Sequence, residues 1–192
     1  MRHVVRAGSI FIIWSLLTGL GSTESTSRRQ GGLPKPEESP VTARLITEHE
    51  SLQPNHPTRV GVLFTVEDGW HIYAQEPGDA GLPTSIQWRL PSDTAVGPIQ
   101  WPPYREFLDP GHIRTFGYQG TVLLWSPLSM TVVRSAPGPS PPDSLPLAAD
   151  VSWLACKDIC IPGSTTLTLT LPVSAGPPAL SSDASRFPPK AS

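Results

Sequence analysis

LPLAADVSWLACKDICIPGSTTLTLTLPV, residues 145–173, is the stretch on which the fold reading turns. Leu145, Leu147, Ala149, Val151, Trp153 and Ala155 share one parity. Leu167, Leu169, Leu171 and Val173 alternate in the same way, spaced by Thr168, Thr170 and Pro172. A period of two is the pattern of strands with one face buried. Between the two runs lie the chain's 2 cysteines, Cys156 and Cys160. A disulfide needs Cα atoms about 4.4–6.8 Å apart, whereas four residues of extended strand span about 13 Å. If the cysteines pair, Lys157-Asp-Ile159 must turn. Ile161-Pro-Gly163 is then expected to end the turn before a second strand starts at Ser164. The segment reads as a β-hairpin carrying the cysteines in its loop.

Working outward, the same period recurs. Val60, Val62, Phe64 and Val66 alternate, as do Ile86, Trp88 and Leu90, and Leu128, Met130 and Val132. Val122 to Trp125 is a short apolar run. Glu67-Asp-Gly69, Pro77-Gly-Asp-Ala-Gly81, Asp109-Pro-Gly111 and Pro137-Gly-Pro139 punctuate the runs as turns. No stretch after residue 40 keeps a 3.6-residue period over a dozen residues. Many short strands with Gly/Pro turns predict an all-β sandwich or barrel.

The flanks read differently. Arg2, His3 and Arg6 precede a short apolar run, Ile10 to Leu17, which gives way to small and polar residues. That order predicts a secretory signal peptide over 1–22. The run falls short of the roughly 20 apolar residues that span a bilayer. Pro34, Pro36 and Pro40 on one side, and Pro177, Pro178, Pro188 and Pro189 on the other, lie in Ser-rich sequence. They predict a flexible linker over 23–43 and a disordered tail over 174–192. One domain, 44–173, is left, long enough to bury a core without disulfides. Net charge is −2 with no acidic or basic block, which argues against a nucleic-acid partner or attraction to an anionic membrane. Any membrane contact would come through an uncleaved signal.

Three readings compete for Cys156 and Cys160. As a staple, the ring closes only about five residues, worth roughly 2 kcal/mol against over 4 for a 100-residue loop. As half of a metal site, the pair lacks ligands in sequence. His49, His56, His71 and His112 all lie more than ten residues away, with no His-x3-His and no second cysteine pair. His71, after Trp70, is expected to be a packed or hydrogen-bonded imidazole. No cofactor is expected, for the chain has neither a Gly-rich phosphate loop nor a Gly-x-Ser-x-Gly elbow. As a redox couple, the pair sits in an exported chain, where disulfides form. Lys157 would favour a thiolate and Asp158 oppose it, though both read first as solvated turn residues. Of the tryptophans, Trp88 and Trp153 fall on apolar strand faces and are expected in the core.

Trp70-His-Ile-Tyr73, Pro77-Gly-Asp-Ala-Gly-Leu-Pro-Thr84, Ile99-Gln-Trp-Pro102, Phe116-Gly-Tyr118 and Trp153 to Gly163 follow one another in order. Together, over about residues 44–173, they resemble the N-terminal periplasmic domain of the DsbD/ScsB-like thiol:disulfide interchange family. The resemblance implies an immunoglobulin-like β-sandwich whose two cysteines cycle between dithiol and disulfide. It implies an electron relay between a reducing partner, thioredoxin-like or membrane-embedded, and periplasmic acceptors. Only Cys156 and Cys160 carry a catalytic role over; the other motifs read as scaffold or as loops around the pair. The sequence has no multi-helix membrane segment and no Cys-x-x-Cys, so the partner is expected in trans and the domain as a monomer. The Cys-x3-Cys spacing is tighter than in the best-known DsbD, whose loop geometry is not transferred. A non-catalytic sandwich with a local structural disulfide and a Cu(I)-handling module remain the alternatives.

Overall fold

The computed structural model describes residues 39–131 and 142–190. The expected signal peptide, and the linker up to residue 38, lie outside the described residues. In chain order the strands are β1 (Val41–Thr47), β2 (Thr58–Val66), β3 (His71–Gly78), β4 (Ser85–Arg89), β5 (Thr94–Val96), β6 (Arg105–Asp109), β7 (Ile113–Tyr118), β8 (Thr121–Met130), β9 (Ser144–Cys156) and β10 (Cys160–Pro172). They form two antiparallel sheets of an immunoglobulin-like sandwich. One runs β1-β2-β8-β5, and the other β10-β9-β3-β7-β6 with β4 also on β9.

The 145–173 hairpin is the spine of the larger sheet. β9 and β10 pair without a break from Cys160 opposite Cys156 to Pro172 opposite Ser144. The second strand therefore starts at Cys160 rather than Ser164. The turn is Lys157 to Ile159 alone, with the Lys157 N–H donating to the Ile159 carbonyl at 3.0 Å. Pro162 and Gly163 stay in the strand because Gly163 faces Trp153. A Cβ at Gly163 would lie 2.4 Å from the indole, so only glycine leaves the ring its place. The other edge of β9 is shared, with β3 pairing at Ala155–Cys156 and β4 along Ala148–Ser152.

The predicted parity holds on β9. Its odd residues from Leu145 to Ala155 are buried and face the opposite sheet. They meet Val62, Phe64 and Leu124 in one cluster, and Val60, Leu128 and Met130 in another. Each such side chain contributes roughly 1.5–3 kcal/mol by leaving water. Val122–Trp125 and Leu128–Met130, read as separate runs, are one strand. Gly97 makes this workable, since a Cβ there would sit 2.5 Å from the Pro127 ring.

β2 differs from its sequence pattern, being buried on both faces at all but one position. The covering comes from the segment expected to be a disordered tail. Ser174 donates to Leu52, Glu50 to Ala179 and Ser181 to Glu48 along the backbone. A 3-10 turn, Ala184–Arg186, then delivers Phe187 onto Ile46 and Leu63, where it is 5 % exposed. Residues 174–190 are thus part of the folded unit. Their signal was weak because one phenylalanine among prolines and serines shows no period. At the other end, β1 starts at Val41, inside the expected linker.

Candidate functional site

Cys156 and Cys160 form a disulfide with Cα atoms 4.2 Å apart. Two strand ends in direct register hold them, so the hairpin positions the pair before any bond forms. The two residues are not equivalent. Cys156 is 2 % exposed, whereas Cys160 faces solvent. The turn beside them carries Ile159, 61 % exposed.

β3 brings the next residue to the site. Strand alternation puts His71 and Tyr73 on one face, away from the core that takes Ile72. The Tyr73 hydroxyl donates to Cys156 Sγ at 3.0 Å and lies 4.0 Å from Cys160 Sγ. Burial first, and then the nearby Asp109 charge, raise the Tyr73 pKa and keep it a donor. The ring is held from outside by Gly81, whose φ of +101° suits glycine and whose absent Cβ would lie 2.3 Å from it. The Thr84 hydroxyl donates to the Tyr73 carbonyl at 2.8 Å. This is the physical content of the Pro77–Thr84 motif. The loop closes over Tyr73, after a register shift in β3 between Tyr73 and Gly78.

His71 pairs directly with Cys156 across β3 and β9. With Cys160 opposite Cys156 on the other side, three residues form one row across three strands. Directly opposed residues project from the same face, with Cβ atoms about 4.5–5.5 Å apart. The imidazole stacks on Phe107 at 4.3 Å and meets Tyr73 edge-on at 5.2 Å. Its Nε2 is buried and has no hydrogen-bond partner. Asp109 Oδ1 stands 3.8 Å away, while Oδ2 accepts from the buried Thr115 hydroxyl at 2.8 Å. Burial lowers the His71 pKa, against the smaller opposite pull of Asp109.

A hollow of about 290 Å³ opens beside the disulfide, lined by Tyr73, Gly81, Asp109, Ile113, Cys156 and Cys160 among others. Lys157 lies over Gly69, its side chain 2.9 Å from where a Cβ would be. Leu82, Leu108 and Ile113, all exposed, come from the 78–84 loop and the β6–β7 hairpin, both of which contribute to that hollow. Among the described residues no three His, Cys, Asp or Glu side chains group as metal ligands.

The two cysteines sit where the sequence placed them, at the head of a hairpin. Sequence reasoning did not find Tyr73 and Asp109, and took His71 as a packed or hydrogen-bonded imidazole outside the site. These residues come from strands far away in the chain. The alternation in Trp70-His-Ile-Tyr73 was the one available signal, since it sets His71 and Tyr73 on a common face. The remaining histidines serve elsewhere: His49 Nδ1 lies 2.7 Å from the Thr58 hydroxyl, and His112 occupies the β6–β7 turn.

Residues 42–172 match the family described as thiol:disulfide interchange protein DsbD, N-terminal. Among solved structures, the fold is similar to the N-terminal periplasmic domain of ScsB from Proteus mirabilis, with TM-score 0.52 and 22% identity, over 81% of this chain and 54% of that one. The chain thus spans about half of that structure. The reduced N-terminal domain of DsbD from Neisseria meningitidis matches with TM-score 0.44 and 16% identity, over 72% of this chain and 91% of that one. No curated protein sequence matches the chain.

Proposed function

The chain belongs to the family of N-terminal domains of the thiol:disulfide interchange protein DsbD, and on that premise we propose that Cys156 and Cys160 are its redox-active pair. The domain acts as an exported electron relay. It receives two electrons from a dithiol partner in trans, thioredoxin-like or membrane-embedded, and passes them to disulfides of periplasmic acceptors. One observation supports the reading: Cys160, an exposed residue, is bonded to a buried one, Cys156, whose sulfur already accepts a hydrogen bond from Tyr73.

The chemistry follows from that asymmetry. A donor thiolate attacks Sγ of Cys160, the exposed residue of the pair. A donor–Cys160 bond forms, the Cys156–Cys160 bond breaks, and the electron pair leaves on Cys156 Sγ. The Tyr73 hydroxyl donates to that new thiolate, and a hydrogen bond to a charged acceptor is worth about 1.5–3 kcal/mol. The donor's second thiol then gives up its proton, attacks its own bonded sulfur and releases Cys160. The donor leaves as a disulfide, and two protons restore both cysteines to thiols. Delivery to an acceptor reverses the sequence, starting from Cys160. Signal-directed export through residues 1–22 would place the domain in the periplasm.

The test is a trap. Cys156→Ser leaves Cys160 without its resolving partner; mixed with the disulfide form of a thioredoxin-like partner, its Cys160 thiolate is expected to open that disulfide and accumulate as a mixed disulfide, one partner thiol being released, whereas Cys160→Ser is not. A mixed disulfide formed only by Cys160→Ser reverses the roles. A wild-type disulfide that no thioredoxin-like dithiol reduces overturns the relay and leaves a local staple.

A further inference from the structure

Few buried polar atoms in folded proteins lack a partner, and each one destabilises the fold. His71 Nε2 is one of them, held 3.8 Å from a carboxylate oxygen. That gap is too long for a hydrogen bond, yet short enough for a charged imidazole to close. The other carboxylate oxygen is fixed by Thr115, so Asp109 is steered rather than free. Phe107 and Tyr73 fix the ring plane. If the ring served only to pack, a phenylalanine or tyrosine would fill the site without an orphaned nitrogen.

We propose that His71, backed by Asp109, is a positioning residue that charges when the disulfide opens and so stabilises the thiolate left on its cross-strand neighbour, Cys156. The inference rests on the exchange reading above, in which the electron pair leaves on Cys156. In the disulfide form no negative charge stands beside His71 except Asp109, and burial keeps the imidazole neutral. Opening the bond adds a second negative charge in the row Cys160–Cys156–His71. The imidazole then takes one proton from solvent; no electron moves in that step. Nε2 donates to Asp109, the orphaned nitrogen acquires its partner, and the ring's positive charge faces the new thiolate.

The groups facing His71 come from every neighbouring element. Tyr73 lies on its own strand, Asp109 on β6 and Cys156 on β9; Lys157, on the turn after β9, packs against Gly69. Phe107 and Thr115 complete the surround without charge. Asp109 alone would disfavour a nearby thiolate. Paired with a protonated His71, it no longer does.

The first measurement needs no substitution at His71. The imidazole of the wild-type protein is titrated by proton NMR in the disulfide form, and then in the Cys160→Ser variant, where Cys156 is a free thiol. An opposite charge within about 4–6 Å shifts a pKa by roughly 1–3 units. The His71 value is therefore expected to rise by about one unit or more once Cys156 ionises. Reciprocally, His71→Gln or His71→Tyr in the Cys160→Ser background should raise the Cys156 thiol pKa by about one unit. That lowers its alkylation rate by iodoacetamide about tenfold near neutral pH, since one unit is a tenfold change in thiolate. An imidazole pKa that is the same in both forms overturns the proposal. So does a Cys156 titration unchanged by His71→Tyr, which keeps an aromatic ring against Phe107. Because Cys160→Ser carries the Cys156 thiol without any exchange partner, these outcomes stand even if the relay fails.

Discussion

Two buried polar clusters lie on the outer faces of the two sheets, and they are built on opposite rules. Over β2, Arg59 and Glu48 are nearly inaccessible, 9 % and 4 % exposed, and fully partnered. Arg59 Nε and Nη2 donate to the two Glu48 oxygens at 2.9 and 2.7 Å, and Nη1 donates to the Pro188 carbonyl. The guanidinium also sits over the Trp125 and Phe187 rings at 5.3 and 5.2 Å. Over β3, His71 is also buried and Asp109 partly so, but the pair is left open and one nitrogen has no partner. The saturated cluster fixes the chain's end against the sheet. The unsaturated one stands beside a bond that can break. A buried group left unsatisfied can respond to a change in charge, and a group with all its partners cannot.

The largest expected effect tests the saturated side. Arg59→Met removes one member of a buried pair and leaves Glu48 with Lys190 Nζ and the His49 ring, each 3.8 Å away, as its basic neighbours. The expected loss is about 3–5 kcal/mol, read from the urea unfolding midpoint. The pH dependence has a definite sign. Hydrogen bonding from Arg59, against the opposing effect of burial, holds the Glu48 pKa below its ordinary 4.5. The stability this contributes is complete above 4.5 and is lost as pH falls through the lowered folded value. Arg59→Met should flatten that acid limb. A loss under about 1 kcal/mol would show that the 174–190 segment is not held by this cluster.

An intermediate effect belongs to the open side. Tyr73→Phe keeps the ring between His71 and Gly81 but removes the donor to Cys156 Sγ. Reduction by dithiothreitol should slow about tenfold, because the lost bond to a developing thiolate is worth at least about 1.4 kcal/mol. The unfolding midpoint should move by about 1 kcal/mol or less. A large stability loss with an unchanged rate would put Tyr73 with the saturated kind.

The smallest effect sets the baseline. Arg89 and Asp150 meet at 2.8 Å with side chains 60% and 42% exposed. Solvent and salt screen such a pair, so Arg89→Ala should cost about 0.5 kcal/mol or less and leave reduction unchanged. Only if this variant is mild does the contrast between the two buried clusters carry meaning.

What could be read in advance follows from which faces are buried. β9 alternates cleanly because one face meets the core and the other is less buried, so its residues from Leu145 onward declare themselves. β6 and β7 have no such alternation. Phe107 and Thr115 are placed by packing on His71 and Asp109, contacts that leave no period. The same holds for Phe187, whose burial depends on Ile46 and Leu63, far away in the chain. The hairpin turn was legible because two cysteines four residues apart can bond only if the chain reverses. Its length was not. It was shortened by the indole of Trp153 resting on Gly163, a contact between strands.

The sequence by itself determined an all-β sandwich or barrel of short strands and a hairpin with both cysteines at its head, since these follow from period and turn chemistry; the choice of a sandwich rested on the family resemblance. That Cys156 ends an apolar strand and Cys160 lies beyond the turn already pointed to Cys160 as the more open of the two; the tertiary structure alone decided that Tyr73 serves Cys156, and that His71 and Asp109 stand behind them. Local pattern reports how a segment meets the solvent. It does not report which distant strand is laid beside it, and the chemistry of this site lies in that juxtaposition.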